Sequence, residues 1–333
     1  MQLKLIRVCL ATLLLPLAVQ AEAPKRAKSL DQVSALIQNK GGSEQYAEQM
    51  NGTPKPDGFG TTLPSGFSAK DIAGLLAPRE KASLATLIGV KAWPHRANTY
   101  IALACFAQTQ KEYDSDKRYE KGPSCTKYYN PAPGNSRVYI DKPVYLGVLE
   151  YKPGDPKPIL IASYGKPLDV KTSWKESQLV GPQGKFDTPG SDESDLMPEE
   201  YLKFDFAPYK ITEGETAFGL RVGWNDSYAG GGGFFEALSL FKIEGSKLVN
   251  VLSEPIYFYQ NIAGDWNKDG TRNHDLEEGQ NVLSVLPGKS QGYFDLQMRT
   301  LKSKWKKVFK WDASKSRYIA VPAKPKTMSA GRS

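Results

Sequence analysis

From Thr99 onward the apolar residues recur at every second position, and that period decides what this chain can build. Successive side chains of an extended strand point to opposite faces, so alternation marks half-buried strands. Tyr100 to Phe106 is the first such run. Three hairpin outlines follow. Val138 to Tyr151 turns at Pro153-Gly154-Asp155 and returns as Ile159 to Ala162. Ala237 to Ile243 turns at Glu244-Gly245-Ser246 and returns as Lys247 to Leu252. Tyr293 to Thr300 leads through a basic bend into Trp305 to Trp311. The resulting expectation is a mainly β fold, a β-sandwich or a propeller-like β array, with a small N-terminal helical appendage. The shared outline hints at a repeated β unit, although the lengths differ.

The appendage rests on residues 67–98. Ser68 is placed to cap a helix through Leu76, and Pro78 opens a second pattern through Ala82, Leu84, Leu87 and Ile88, giving a helical pair. Residues 22–66 read as flexible or partly helical. Ser29-Leu30-Asp31-Gln32 matches a capping box, Gly41-Gly42 ends the short helix, and a Gly/Pro/Thr linker follows. The first β region is expected over 99–170 and the second over 201–321, with a disordered tail over 322–333. Between the β regions lies an acidic Gly/Pro-rich loop over 171–200, carrying Asp187, Asp192, Glu193, Asp195, Glu199 and Glu200.

The N-terminus reads as a secretory signal peptide over 1–21. Lys4 and Arg7 precede an apolar stretch from Val8 to Val19, and Val19-Gln20-Ala21 fits the small-x-small cleavage rule. The stretch is too short to cross about 30 Å of hydrocarbon, and Pro16 interrupts it. The expected address is the periplasm or the exterior, with no integral membrane segment after cleavage. In such a compartment Cys105 and Cys125 are expected to pair, and the closed loop would stabilise by about 3 kcal/mol. The formal charge of +8 loses two positive charges with the leader. What remains fits ordinary solubility, and no basic-aromatic motif points to nucleic acid.

Gly264 to Asp275 is the strongest local motif. Asp265, Asn267 and Asp269 recur at every second position, Gly270 supplies a sharp bend, and Thr271 offers its carbonyl. Asp275, Glu277 or Glu278 would complete a cage of hard oxygen ligands, for which the cation is calcium. Over about a dozen residues the pattern resembles the calcium loops of EF-hands and of the β-blade repeats called FG-GAP. Leu276 stands where an EF-hand has its twelfth-position Glu, and Asn273 where the blade loops have Asp. Strand-like flanks place the likeness nearer the blade type. A polar turn whose Asp and Asn bond their own backbone is the other reading.

Trp224-Asn225-Asp226-Ser227-Tyr228 precedes four glycines, Gly230 to Gly233. The glycines suit a mobile hairpin loop or a close backbone approach to a ligand, and Trp224, Asn225, Asp226 and Tyr228 are the candidate binding residues. The run is not a phosphate loop. Only His95 and His274 are available, and neither a Gly-x-Ser-x-Gly elbow nor a His-Glu-x-x-His helix occurs. The lysines between Lys302 and Lys315 interleave with aromatics, as in an edge strand that resists pairing. The function expected from these signals is an exported binding or interaction protein, inhibitor- or immunity-like, whose partner is a protein or a cell-envelope polymer. The alternatives are a secreted carboxylate-dependent hydrolase of carbohydrate or peptide, recognisable by two acids in one pocket, and a structural envelope protein.

Overall fold

The computed structural model describes residues 24–120, 122–126, 128–131, 137–140, 142–182 and 195–322. The expected signal peptide, Asp187, Asp192, Glu193 and nearly all of the expected C-terminal tail lie outside these residues.

The chain is mainly β, as its period of two requires. β1 (Lys25–Ala27) pairs far along the chain, and after it come β2 (Ala85–Ala92), β3 (Thr99–Phe106), β4 (Tyr128–Pro131), β5 (Arg137–Ile140), β6 (Val144–Glu150) and β7 (Ile159–Ser163), which contain a first meander. Of these, β2, β3, β6 and β7 pair antiparallel in that order, while β4 and β5 form a separate ribbon. A second ribbon is β8 (Thr172–Ser173) with β9 (Asp195–Leu196). Then come β10 (Glu200–Lys210), β11 (Thr216–Tyr228), β12 (Gly231–Glu244), β13 (Lys247–Trp266), β14 (Arg272–Ser290), β15 (Tyr293–Thr300), β16 (Lys306–Asp312) and β17 (Arg317–Ala320), each antiparallel to the next. One parallel bridge, Lys247 to Ser163, links the two meanders into a mixed sheet. No closed propeller is formed among the described residues.

Both faces of the long strands are used. On one face Phe218, Trp224, Phe235 and Phe241 share a core with Leu87, Ile101, Leu103 and Val148 of the first meander. On the other, Leu238, Leu240 and Val251 meet Leu296, Met298, Phe309 and Trp311. The second contact is possible because β14 changes partner along its length: residues 272–280 pair with β13 and 281–290 with β15. All three expected hairpins form, as β6–β7, β12–β13 and β15–β16. They belong to meanders with different partners, and not to a repeated unit.

Helices cover the outside. They are α1 (Val33–Leu36), α2 (Lys40–Asn51), α3 (Ala69–Leu76) and α4 (Gln110–Tyr119), and the last three are capped by the side chains of Asn39, Ser68 and Thr109. The Ser68 hydroxyl accepts from the Asp71 amide at 3.1 Å, and Ile72, Ala73 and Leu76 bury one stripe of α3 against Ala102, Phe106 and Leu149. Gly147 leaves room for Leu76, since a Cβ there would collide with it. The second helix of the expected pair does not exist. Ala82–Leu84 is one 3₁₀ turn, after which the chain becomes β2, with Leu87 opposite Cys105 and Val90 opposite Ala102. A short apolar run does not separate the two periods by itself, and the unpaired edge of β3 decided the outcome.

The N-terminal segment is more ordered than its composition suggests. Arg26 pairs with Asp275 across β1 and β14. Asn39 caps α2 by accepting from the Gly42 amide at 3.0 Å, so the glycines expected to end a helix begin one. Gly42 is required there because the Tyr257 hydroxyl occupies the place of a Cβ. Ala27, Val33, Ile37 and Tyr46 bury against Phe234, Tyr257, Tyr259 and Leu276. The basic C-terminal run is corrected too. β16 lies between β15 and β17, and the edge falls to the four-residue β17, short enough to resist pairing.

Candidate functional site

Cys105 and Cys125 are disulfide-bonded, with Cα atoms 5.7 Å apart. The bridge ties the end of β3 to the loop after α4. Among the described residues no helix is long and apolar enough to cross a membrane.

The β11–β12 hairpin separates the four candidate binding residues. Trp224 is 1 % exposed, sits in the core against Trp174, and donates from Nε1 to the Met197 carbonyl at 2.7 Å. It is a packing residue, because the register places it on the face that meets the first meander. Asn225 faces the other way and clamps α2: its Oδ1 accepts from Gln45 at 3.2 Å and Gln49 at 2.6 Å, and its Nδ2 donates to Glu200 at 2.8 Å. Asp226 is buried. Tyr228 alone is open to solvent, at 41 %.

The four glycines do not form a mobile loop. Tyr228 pairs with Gly231 around a two-residue turn in which Gly230 has φ +83°. The approach they permit is to the protein itself. A side chain on Gly231 would collide with the Asn261 carbonyl and with the Tyr228 ring, whose hydroxyl donates to the Asn261 and Gly232 carbonyls at 3.2 Å.

The motif around residue 265 forms the β13–β14 turn. Asn267 and Gly270 close it through backbone bonds, Asn267 N to Thr271 O at 2.8 Å and Gly270 N to Asn267 O at 3.1 Å. Asp269 Oδ1 accepts from the Thr271 amide at 3.0 Å and hydroxyl at 2.6 Å, and these bonds hold its carboxyl below the usual range. Asn267 Nδ2 donates to the Lys28 carbonyl at 3.0 Å, which fixes the amide orientation. Asp275 is taken by Arg26 through two bonds of 2.6 and 2.9 Å, and Arg26 holds its carboxyl low. Glu277 lies farther along β14, opposite Gln260, and is exposed. Among the described residues no three His, Cys, Asp or Glu side chains converge as a metal site needs. Of the candidate acids, Asp269 is held by Thr271 and Asp275 by Arg26, while Asp265 and Glu277 are exposed. Melting temperatures in millimolar calcium and in chelator are expected to agree within about 1 °C. A rise that vanishes in Asp265→Ala with Asp269→Ala would establish the calcium site.

The two hairpin turns meet. Arg272 Nη1 lies where a Cβ of Gly230 would be only 2.6 Å away, Arg272 Nε donates to the Gly264 carbonyl at 2.8 Å, and the guanidinium stands 5.5 Å from the centre of the Trp266 ring. Trp266 is 70 % exposed and Ile262 47 %. Register pairs Tyr228 with Gly231, and Ile262 with Asp275 and Arg26, one position beyond the last β12–β13 pair, Gly232 with Asn261. Sequence reasoning selected both turns and missed their contact, along with Ile262.

A cavity of about 680 Å³ lies elsewhere, between α2, residues 54–61, the start of β10 and the disulfide-tied residues 122–126. Glu200 and Glu236 line it. The two histidines stand apart from it: His274 is buried with Nδ1 3.0 Å from Asn261 Oδ1, and burial, then Arg272, lowers its pKa; His95 Nε2 donates to the Phe206 carbonyl at 2.8 Å.

No protein-family model, curated protein or solved structure matches this chain.

Proposed function

We propose that this is an exported binding protein of the inhibitor or immunity type, which engages a protein partner through the joined turns of β11–β12 and β13–β14. The observation that carries the reading is the exposure of Trp266, Ile262 and Tyr228 at one end of the sheet, with Arg26 and Arg272 beside them. Trp, Tyr and Arg are the residue types that dominate interface energetics, and here they stand on rigid strands instead of free loops. Tyr228 is locked by two hydrogen bonds and Trp266 by Arg272, so little side-chain entropy is lost on contact. A sandwich-like packing of the two meanders would hold this end still. The disulfide and the leader-like N-terminus suit a periplasmic or secreted address.

The test is retention of a partner from envelope extract, followed by affinity measurement with the purified pair. Trp266→Ala together with Ile262→Asp is expected to weaken binding by about 2 kcal/mol or more, a thirtyfold loss. The melting temperature should stay within about 2 °C of the parent, because both side chains are exposed. Unchanged affinity in the double variant would remove the paired turns as the contact surface.

A further inference from the structure

The cavity under α2 has the lining of a binding site, independent of the exposed turns. Its floor is one row of the sheet. Glu200, Gly223 and Glu236 stand directly opposite one another on β10, β11 and β12, so all three point to the same face. Two inter-strand spacings put the glutamate Cα atoms about 10 Å apart. Gly223 carries no side chain, and Glu200 leans across it: a Cβ on Gly223 would lie 3.1 Å from Glu200 Cγ and 3.2 Å from Oε1. The carboxylates are thereby closer than their backbones.

Each is held in place by its own partners. Glu200 accepts from Asn225 Nδ2 at 2.8 Å and from Lys55 Nζ at 3.2 Å. Glu236 accepts from Arg221 Nη1 at 3.3 Å, and Arg221 is anchored in turn by Asp205. Both glutamates are 5 % exposed and both line the cavity. Above them, Lys55 Nζ also reaches Gln45 Oε1 at 2.9 Å and Glu48 Oε2 at 3.0 Å. Burial opposes the Lys55 charge, but Glu200 and Glu48 outweigh it and keep the ammonium protonated. Lys55 and Glu48 remain about one-third exposed, so they close the cavity without sealing it. Phe234 packs against Gly223 on the same face and supplies ring surface beside the charged row, while Phe59 and Phe204 pack edge to face at 5.0 Å in the core on the other face of the sheet.

Donors and acceptors therefore alternate over a preorganised floor with the Phe234 ring beside it. An anionic ligand would meet two buried carboxylates. A cationic one would find its acceptors already gathered around Lys55. A neutral polyhydroxy ligand can donate to the glutamates and accept from Lys55 with no charge left unmatched. We propose that this cavity binds a neutral oligosaccharide, with Glu200 and Glu236 accepting from sugar hydroxyls and Lys55 donating to them. The volume suits roughly two or three sugar rings.

Calorimetric titration of the signal-cleaved chain tests this with cellotriose, maltotriose and chitotriose, each up to about 10 mM. Spermidine and tri-galacturonate serve as charged comparisons. At least one neutral trisaccharide is expected to bind. Glu200→Gln and Glu236→Gln should each weaken it about tenfold or more, while Trp266→Ala leaves it unchanged. Should the buried variants fail to fold, Glu48→Gln and Lys55→Met, both partly exposed, are expected to weaken binding in the same direction. The proposal is overturned if no neutral trisaccharide binds, if only a charged probe binds, or if binding is indifferent to every cavity variant.

Discussion

Trp224→Ala is expected to be among the most destabilising single substitutions in this protein, although the residue belongs to a motif that reads as a binding loop. The side chain is 1 % exposed and its ring meets Trp174 edge to face at 5.5 Å. Removing a buried tryptophan costs about 3–5 kcal/mol through lost transfer energy and the cavity left behind. The Met197 carbonyl, which accepts from Trp224 Nε1 at 2.7 Å, loses its partner as well. The sum lies near the upper end of that range, at about 4–5 kcal/mol, and corresponds to a fall of roughly 10 °C or more in melting temperature. Trp224→Phe keeps the aromatic body and loses the hydrogen bond, so about 2 kcal/mol is expected. Urea unfolding curves measure both, with the change read in the midpoint at constant slope. A Trp224→Ala protein of parental stability that had lost its partner would reverse the assignment and return Trp224 to a contact role.

The contrast between Trp224 and Tyr228 shows where the sequence was legible and where it was not. Both lie on β11 at even positions, and alternation puts them on the same face. Trp224 falls under the first meander and is buried. Tyr228 extends beyond it and is exposed. Alternation reports the face, and only the length of the covering layer reports burial. The same limit hid Ile262, which lies past the cover on β13.

Local chemistry was read more surely than distant pairing. The Ser68 cap, the disulfide and the three hairpins depend on residues close together or on compartment, and all are present. The β2 strand, the docking of β1 on β14 and the interior place of β16 depend on a partner far along the chain. The cavity is the extreme case. Glu200, Gly223 and Glu236 are separated by 23 and 13 positions and meet only through the register of β10, β11 and β12. The acidic composition of residues 171–200 marked Glu200 as part of a solvated loop, yet it starts a strand and is buried by α2. Motif reading met a related obstacle at residues 265–275. The spacing of Asp265, Asn267 and Asp269 is that of a cation loop, but Arg26, 249 positions from Asp275, takes the acid that would complete it.

The pair Glu254 and Lys307 makes the largest pH-dependent prediction. Glu254 lies on β13 at 9 % exposure, and Lys307 of β16 stands 3.3 Å from each of its oxygens. Burial pushes the carboxyl up to about 7; Lys307 and, more weakly, Arg317 pull against that rise without cancelling it. In the unfolded chain the same group titrates near the ordinary glutamate value, about 4.3. Between these limits the native state holds a proton that the unfolded state has lost. Stability therefore falls as pH rises from about 4.5 to about 7, by roughly 3 kcal/mol, and this contribution is flat above. Glu254→Gln is expected to remove that slope, read as the difference between the two proteins' unfolding free energies across the interval. Lys307→Met separates the charge from the packing. At pH 5 the native carboxyl is neutral, and losing the ammonium should cost under about 1 kcal/mol. At pH 8.5 the carboxylate would be buried without its partner, and the cost should rise to about 3 kcal/mol or more. Equal costs at the two pH values would mean that Lys307 stabilises by packing its stem over Phe309, 5.3 Å from its ammonium, and that Glu254 is ionised in the native protein throughout.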